Sequence, residues 1–265
     1  MSNKTPSAAT PSATIDWLSA PAYVWSAGEV RAVSSLSAPE LDLLKGVDRQ
    51  KELVVENVSR LAHGHAAHDM LLWGARGMGK SALLRAAVRT AQAKDPTAIA
   101  LVQASGEELA GLPALFRALT GVERNFLVFL DDLGFDDNDK QAARRLRTVL
   151  DGGIEARPPN VRLAVTSNRR AIMARDAREQ DDPLNPRDAV DDMLALADRF
   201  GLSIGYHVCS QDEYLAMIEG YARTYDLPFD AHDALEWSRR RGARSGRVAW
   251  HYITELAGRS GRTLG

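Results

Sequence analysis

Residues 70–81 read MLLWGARGMGKS, and this stretch decides the fold. The first four residues, 70–73, form an uninterrupted apolar run, which is typical of a strand buried on both faces of a sheet. The next eight, 74–81, fit the pattern G-x-x-x-x-G-K-[ST]. Apolar residues then recur at helical spacing between Leu84 and Ala91. A strand, a glycine-rich loop and a helix in this order predict an anion-binding turn within an α/β unit.

The loop has the residue types that a phosphate cradle needs. Its glycines allow backbone N–H groups to turn inward around phosphate oxygens. Lys80 supplies a positive charge for the terminal phosphates of a nucleotide, and the Ser81 hydroxyl can bind Mg²⁺. The alternative is a chance glycine-rich turn, which the flanking strand and helix disfavour. The expected nucleotide contacts are Gly74, Ala75, Arg76, Gly77, Met78, Gly79, Lys80, Ser81 and Leu83.

Four more short apolar runs resemble the first in length and composition. They are residues 98–102, 126–130, 161–165 and 203–208. Helical patterns separate them, such as the apolar positions between Ala142 and Leu150 that precede Gly152. Short buried strands that alternate with helices predict an α/β fold, in which a five-stranded parallel sheet lies between layers of helices.

Composition divides the chain into four parts. Residues 1–14 are almost entirely Ser, Thr, Ala and Pro, so we expect a disordered arm. Aromatic residues scattered among Pro and Ser in 15–45 indicate an N-terminal extension that packs on the core. The alternating pattern predicts that residues 46–209 form the core itself. Beyond it only helical spacing remains, so residues 210–265 are predicted to form a small all-helical lid.

Composition and charge exclude several classes of protein. The 265 residues are 45% hydrophobic and 26% charged, the mixture of a folded globular chain. Lys and Arg total 33 and Asp and Glu total 35, so the net charge is −2 and no global positive field favours nucleic acid or anionic lipid. The longest apolar runs are far shorter than the roughly 20 residues of a membrane span. The N-terminus lacks the pattern of a secretory signal, and the single cysteine, Cys209, excludes an internal disulfide, so we expect a cytoplasmic protein without a membrane partner.

The apolar run 126–130 ends in two acidic residues. Asp131 and Asp132 follow it directly, 51 residues after Lys80. That interval is long enough for a helix, a strand and a second helix, which brings both strand ends to the same edge of the sheet, where ligands gather. Asp131 is therefore expected to hold Mg²⁺ together with Ser81, directly or through water. Asp132 is placed to orient or deprotonate an attacking water, and the alternative for both acids is a solvated acidic turn.

These features together resemble the AAA+ ATPase module. In that module a phosphate loop is followed by an apolar strand that ends in paired acids, and then by a strand with a polar end, which in this chain is Thr166-Ser167-Asn168. Five segments also resemble a bacterial ATP-binding family known only as a domain of unknown function. They are LLKGVDRQKEL (43–53), LLWGARGMGKSALL (71–84), FLDDLGF (129–135), LDGGIEARPPNVRLAVTSNRR (150–170) and ADRFGL (197–202). The resemblance covers residues 41–262. It implies an ATPase that uses ATP and Mg²⁺ and works as a homo-oligomer, in a ring or in a nucleotide-dependent assembly.

The resemblance assigns roles to two residues outside the loop. Asn168 matches the polar sensor that contacts the γ-phosphate or the lytic water, and an asparagine that merely caps the strand exit is the alternative. Arg199 matches the arginine finger, which reaches the nucleotide of a neighbouring subunit. A guanidinium suits this role because it stays charged and forks onto phosphate oxygens. The alternative for Arg199 is an ion pair with Asp198 or another nearby acid.

Two further matches concern the base and the lid. Val47 matches the segment beside the adenine, and a plain core role is its alternative. Arg247, at the start of the third predicted lid helix, matches the second sensor arginine. The choice among lid arginines stays open because four others lie nearby, namely Arg239, Arg240, Arg241 and Arg244.

One departure from the family pattern bears on turnover. Most AAA+ members have Asp-Glu at the acidic strand end, whereas this chain has Asp131-Asp132, whose second carboxylate is one methylene shorter. Three functions therefore stay open. We favour a nucleotide-driven switch or remodelling protein that acts on an unknown protein partner. The alternatives are a nucleic-acid-associated ATPase that resembles the helicase loaders, and a slow-hydrolysing nucleotide-gated scaffold. Nucleic acid is kept as a candidate partner because residues 239–262 contain seven arginines and one acid.

Overall fold

A computed structural model of the chain describes residues 15–133, 140–152, 157–168 and 196–264. The strands in these ranges are β1 (Ala22–Ser26), β2 (Glu29–Val33), β3 (Met70–Gly74), β4 (Ile99–Ala104), β5 (Asn125–Leu130), β6 (Val161–Ser167) and β7 (Leu202–Tyr206). The helices are α1 (Asp48–Ala62), α2 (Lys80–Lys94), α3 (Leu112–Leu119), α4 (Lys140–Asp151), α5 (Gln211–Thr224), α6 (Ala231–Arg240) and α7 (Gly246–Arg259). Not one of these helices has the length and apolarity that a membrane crossing requires.

The strands form one sheet in the order β2-β1-β4-β5-β6-β3-β7. Every neighbouring pair is parallel except β1 and β2. The five apolar runs of the sequence are the strands β3 to β7, which confirms the α/β class and the parallel sheet. The predicted number of five strands is wrong for the described residues, because the N-terminal extension adds two more.

The two additional strands form a hairpin at one edge of the sheet. β1 and β2 are joined by Ala27 and Gly28, both with positive φ (52° and 77°), as in the tight turns favoured between antiparallel strands. β1 pairs in parallel with β4, and its Tyr23 and Trp25 are buried. Residues 22–25 of β1 are themselves a four-residue apolar run, which the scatter of aromatic residues among Pro and Ser in 15–45 obscured, and β2 has mixed polarity. The signal that could have predicted the hairpin was the pair of five-residue runs, β1 and β2, on either side of Ala27-Gly28.

The parallel strands are buried on both faces. In β5, Leu127 and Phe129 lie in the core that includes α1, α2 and the last three helices. Phe126, Val128 and Leu130 lie in the opposite core, with α3 and α4. All five side chains are fully buried, which explains why such strands are continuous apolar runs in the sequence. This double coverage leaves the carboxyl edge of the sheet as the accessible place for a site.

The last three helices begin at polar caps. The Ser210 side chain accepts a hydrogen bond from the Glu213 N–H, and the Glu213 carboxylate accepts one from the Ser210 N–H, so α5 starts with a capping box. Asp230 and Ser245 cap α6 and α7 by accepting one backbone N–H bond each. Three helices after Ser210 agree with the helical spacing of the sequence. The division into arm, extension, core and lid stays a prediction, and residues 1–14 lie outside the described residues.

A buried arginine ties the N-terminal extension to the sheet. Arg124, just before β5, is 5% exposed and donates hydrogen bonds of 2.7–3.1 Å to the carbonyl oxygens of Trp17, Ala20, Pro96 and Ile99. The first two carbonyls belong to the extension and the other two flank the start of β4. One guanidinium therefore joins the extension to the central strands, and its charge strengthens each bond.

Candidate functional site

A cavity of about 390 Å³ opens at the carboxyl edge of the sheet, within the ~300–1,000 Å³ typical of small-molecule sites. It lies between the loop after β3, the ends of β5 and β6, and the first turn of α7. Residues from six separate segments of the sequence line it. Those predicted from the sequence are Val47, Arg76, Gly77, Met78, Gly79, Lys80, Ser81, Asp131, Asp132, Asn168 and Arg247.

The loop after β3 has glycine where neighbouring elements come close. Gly74 has a φ of 111°, and a Cβ atom there would lie 2.2 Å from the Tyr206 carbonyl oxygen in β7. Gly77 has a φ of 78°, and a Cβ atom there would lie 2.9 Å from Ser245 Oγ, at the start of α7. A side chain at either position would push the loop away from β7 or from α7. The glycines therefore permit close packing as well as the turn itself.

Lys80 is buried, with 6% of its surface exposed. Its ammonium group donates hydrogen bonds to the carbonyl oxygens of Gly74 and Ala75, both at 2.9 Å, and to Asn168 Oδ1 at 3.0 Å. Gly74 and Ala75 thus hold Lys80 but do not line the cavity. Burial lowers the pKa of Lys80 to about 8, although the acidic residues at the end of β5 oppose the shift.

Ser81 and Asp131 are in direct contact. Ser81 Oγ donates a hydrogen bond to Asp131 Oδ1 at 2.6 Å, and Thr166 Oγ1 donates to the same oxygen at 2.7 Å. Ser81 Oγ and Asp131 Oδ1 fit Mg²⁺, because hydroxyl and carboxylate oxygens are among its preferred ligands. The two atoms already lie as close together as neighbouring ligands of a small cation. Within the described ranges, no group of three or more His, Cys, Asp and Glu could hold a metal ion alone. A magnesium ion here would take its further ligands from water and phosphate oxygens.

Asp132 and Asn168 are also in contact. Asp132 has a φ of 54°, in the left-handed region that few residues other than glycine adopt. Its carboxylate accepts a hydrogen bond from Asn168 Nδ2, while Asn168 Oδ1 accepts the bond from Lys80. Asp132 is exposed and lines the cavity, so its carboxylate is accessible to a water molecule. Asn168 therefore links the lysine of the loop to the second acid of the strand end.

Part of the cavity lining is apolar. Aliphatic and aromatic side chains from the segment before α1, from α5 and from α7 contribute to it. They are Leu43, Leu44, Val47, Met217, Tyr221 and Trp250. Such a surface suits a planar base, while the charged groups at the loop suit phosphates. The lining thus offers both the apolar and the charged groups that a nucleotide requires.

The last helix, α7, contacts the loop after β3. The Arg247 N–H donates a hydrogen bond to the Gly77 carbonyl oxygen at 3.1 Å. The Arg247 side chain lines the cavity, and its charge contributes to the lowered pKa of Lys80. None of the four alternative lid arginines lines it, namely Arg239, Arg240, Arg241 and Arg244. The position of Arg247 thus agrees with a nucleotide contact, which stays a prediction.

Two of the predicted site residues lie elsewhere. Leu83 is fully buried in the core on α2 and does not line the cavity. Arg199 does not line it either, and its Nε donates a hydrogen bond to Asp151 Oδ1 at 2.6 Å, at the end of α4. An ion pair with a nearby acid is one of the two expectations for Arg199. A location away from the chain's own loop agrees with the other, a contact with a neighbouring subunit.

Sequence reasoning missed part of the cavity wall. Nothing in the sequence pattern distinguishes Thr166 from other threonines in strands. Arg85 lies four residues after Ser81 on the same face of α2, which was an available signal. Its Nε is buried and has no hydrogen-bond partner among the described residues. The other lining residues without a predicted role are Pro39, Leu43, Leu44, Lys45, Ala82, Met217, Tyr221, Gly246 and Trp250.

Solved structures of AAA+ ATPases share this architecture. The RuvB protein of Thermotoga maritima, described as a Holliday junction branch migration motor, is 18% identical with a TM-score of 0.52, over 86% of this chain and 68% of that chain. The Orc1 protein of Aeropyrum pernix, solved in complex with DNA, is 14% identical with a TM-score of 0.57, over 84% of this chain and 64% of that chain. At these identities the likeness defines the fold. The chain has the AAA+ P-loop ATPase fold, as its sequence predicted.

A family model identifies the chain more closely. The model described as "Protein of unknown function (DUF815)" matches residues 18–260, and the chain belongs to this family. No curated protein matches the chain. The resemblance to an AAA+ family known as a domain of unknown function is therefore confirmed.

Proposed function

We propose that this chain binds and hydrolyses ATP with Mg²⁺ and acts as a nucleotide-driven switch or remodelling protein in a homo-oligomer. The observation that carries the proposal is the continuous polar link from Lys80 through Asn168 to Asp132, beside the contact between Ser81 and Asp131. These groups are the ones that must hold phosphates, a hard cation and a water molecule in one place. A protein partner and a cytoplasmic location are part of the proposal.

The cavity supports a defined orientation of ATP. The base would lie against apolar lining residues beside Val47, and the triphosphate would lie on the loop. Backbone N–H groups of residues 76–81 and the positive end of α2 favour anions there. Lys80 would donate to the terminal phosphates in place of some of its present acceptors. Mg²⁺ held by Ser81 and Asp131 would neutralise charge that develops on the phosphates.

Asp132 and Asn168 would act on the attacking water. Asp132 would orient the water and accept its proton, and Asn168 would hold the Asp132 carboxylate and contact the γ-phosphate. Asp132 is shorter by one methylene than the glutamate of most AAA+ members, so it would act at longer reach or through a second water. Slow turnover follows from this difference. Turnover close to zero would make the nucleotide-gated scaffold the better description.

The contact between the loop and α7 supports the switch. The Arg247 N–H bonds to the Gly77 carbonyl oxygen, and the Gly77 backbone packs on Ser245. Loss of the terminal phosphate would change the contacts of Arg247 and therefore the position of the lid. Arg199, which does not line the chain's own cavity, would supply its guanidinium to the nucleotide of a neighbouring subunit. Each subunit would thus report its nucleotide state both to its lid and to its neighbour.

The test measures ATP binding, turnover and assembly of the full chain. We expect Mg²⁺-dependent binding of labelled ATP, release of phosphate, and an increase in native mass when ATP is added. Lack of ATP binding at millimolar concentration would refute the nucleotide site. A monomer that persists with saturating ATP, at every protein concentration, would refute the assembly.

A nucleic-acid-associated ATPase is the second candidate. The structurally similar RuvB is described as a branch migration motor, and Orc1 was solved with DNA. The lid of this chain has many arginines, but several are paired with acids. The pairs are Arg240 with Glu236, Arg259 with Glu255 and Arg262 with Asp226. Since these pairs reduce the charge available to phosphates, we favour a protein partner. Turnover that single-stranded DNA stimulates at low salt, and less at high salt, would favour nucleic acid instead.

A further inference from the structure

Thr166 occupies a buried position between the two acidic residues of the candidate site. It is the last residue but one of β6 and is 1% exposed. The Asp132 N–H donates a hydrogen bond to Thr166 Oγ1 at 2.8 Å, and Thr166 Oγ1 donates to Asp131 Oδ1 at 2.7 Å. One hydroxyl group therefore joins the candidate metal ligand to the candidate general base.

The direction of these two bonds follows from the chemistry of the groups. A backbone N–H can only donate, so the Thr166 oxygen uses a lone pair for Asp132 and its own hydrogen for Asp131. The Ser81 hydroxyl donates to the same carboxylate oxygen. If Ser81 gives up its bond to Asp131 in order to contact a metal ion, the bond from Thr166 to Asp131 can remain. Thr166 therefore keeps the Asp131 carboxylate in place in both situations.

Thr166 also holds the turn that carries Asp132. Besides the bond from the Asp132 N–H, the Leu133 N–H donates to the Thr166 carbonyl oxygen at 2.9 Å. Two consecutive N–H groups are thus bound by one residue of the neighbouring strand. The left-handed backbone of Asp132, with its φ of 54°, persists only where such neighbours hold it. This turn sets the Asp132 carboxylate beside Asn168.

We propose that Thr166 is a positioning residue that acts through Asp131 on Mg²⁺ binding and through Asp132 on the attacking water. The inference rests on the proposed ATPase function. A purely structural role would differ in its consequences. If the hydroxyl only satisfied two polar groups at a strand end, its loss would lower stability and leave the effect of Mg²⁺ on nucleotide binding unchanged.

The experiment compares Thr166→Val and Thr166→Ala, which lack the hydroxyl, with Thr166→Ser, which keeps it. The matched control is Thr90→Val, which removes a hydroxyl bond within α2, to the Ala86 carbonyl oxygen, away from the cavity. The measurements on the full chain are the affinity for labelled ATP in Mg²⁺ and in EDTA, the Mg²⁺ dependence of kcat and KM, and the thermal unfolding midpoint.

In the two hydroxyl-free variants we expect unchanged ATP affinity in EDTA and an unchanged KM for ATP at saturating Mg²⁺. The Mg²⁺ concentration for half-maximal turnover should rise, and kcat should fall, each by about 10–100-fold, the usual effect of removing a partner of a metal ligand. The gain in ATP affinity that Mg²⁺ provides should shrink in proportion. Thr166→Ser and Thr90→Val should behave as the wild type.

Equal Mg²⁺ dependence and equal kcat in the wild type and both hydroxyl-free variants would overturn the inference and leave the ATPase function standing. If kcat and the response to Mg²⁺ fell as much in Thr166→Ser as in Thr166→Ala, the inference would also be overturned, because serine keeps the hydroxyl. Should Thr166→Val fail to fold, the comparison of Ala with Ser carries the same test. A wild-type chain without Mg²⁺-dependent ATP binding would refute the proposed function, and the role of Thr166 with it.

Discussion

The Lys80 ammonium group donates a hydrogen bond to Asn168 Oδ1 at 3.0 Å, although the two residues are 88 positions apart in the sequence. The Nδ2 of the same amide donates to the Asp132 carboxylate. A phosphate that takes over the bond from Lys80 to Asn168 would alter the contacts of this amide, and through them the position of Asp132. In the proposed ATPase, Asn168 would respond to the terminal phosphate and change the position of the candidate base.

Lys80→Ala is expected to abolish ATP binding, or nearly so, because the loop loses the charge that faces the terminal phosphates. Equilibrium binding of a labelled ATP analogue measures the effect. The matched control is Lys94→Ala, at the exposed far end of α2, which should keep wild-type affinity. Unchanged affinity in Lys80→Ala would refute the phosphate-loop assignment.

ATP affinity is expected to fall as the pH rises above about 8. Burial lowers the pKa of Lys80 to about 8, and only the charged form attracts phosphates. Bound phosphates favour the charged form and so raise the pKa of Lys80. Above about pH 8, ATP binding therefore takes up a proton, and the affinity for ATP falls by up to about tenfold per pH unit. Calorimetry in buffers of different ionisation enthalpy measures the proton uptake. Binding between pH 8 and 9 without proton uptake would contradict the expectation.

The same group has the opposite effect on folding. The unfolded chain binds the Lys80 proton up to its ordinary pKa of 10.5, whereas the folded chain releases it near pH 8. Between these values the unfolded state binds more protons, so the contribution of Lys80 to the free energy of unfolding rises with pH. In the absence of nucleotide, Lys80→Met should remove this part of the pH dependence in urea denaturation.

Asp132→Asn is expected to leave Mg²⁺·ATP affinity largely intact and to lower turnover by at least about 10²-fold, the lower range for a lost general base. The amide keeps an oxygen that can accept the bond from Asn168, so the local structure should persist. Asp212→Asn, at the exposed start of α5, is the control and should turn over ATP as the wild type does. A wild-type rate too slow to be lowered would favour the nucleotide-gated scaffold.

Arg199→Ala is expected to bind ATP normally and to lose most of its turnover, because arginine fingers contribute on the order of 10³–10⁵ in related phosphoryl transfers. The deciding experiment mixes Arg199→Ala subunits with Lys80→Ala subunits. In a mixed assembly, an intact loop from one variant meets an intact Arg199 from the other, so part of the activity should return. If no activity returns although native mass measurement proves that mixed oligomers form, the ion pair with Asp151 would be the better account of Arg199.

Arg124→Ala is expected to lower the free energy of unfolding by about 2–4 kcal/mol, because a buried charged donor to four carbonyl oxygens is lost. Urea denaturation measures the change. The control is Arg223→Ala, whose side chain is 79% exposed and, among the described residues, pairs with Glu219 on its own helix. It should change stability by less than about 0.5 kcal/mol. A similar small effect for Arg124→Ala would mean that this residue does not hold the extension to the sheet.

Local patterns of residues were sufficient to predict the core and the loop. The apolar run 70–73 had to be continuous because β3 is buried on both faces, and the loop needed glycine because its backbone turns close to β7 and α7. The acids after β5 were found for a related reason, since parallel strands end at one edge of the sheet. The hairpin of β1 and β2 was missed because the apolar run of β1 lies among Pro and Ser, β2 has mixed polarity, and the pairing of β1 with β4 is a contact between distant segments.

The sequence by itself thus determined the strand–loop–helix unit, the α/β class and the positions of Lys80, Ser81 and Asp131 at one edge of the sheet. Only the tertiary structure decided which groups touch. Thr166 is an ordinary strand residue until the pairing of β5 with β6 sets its hydroxyl between Asp131 and the next backbone N–H. Arg199 likewise meets Asp151 only in the folded chain. The physical reason is that periodicity records the burial of each residue among its neighbours, whereas hydrogen bonds and ion pairs between distant segments depend on strand register and on how the helices dock.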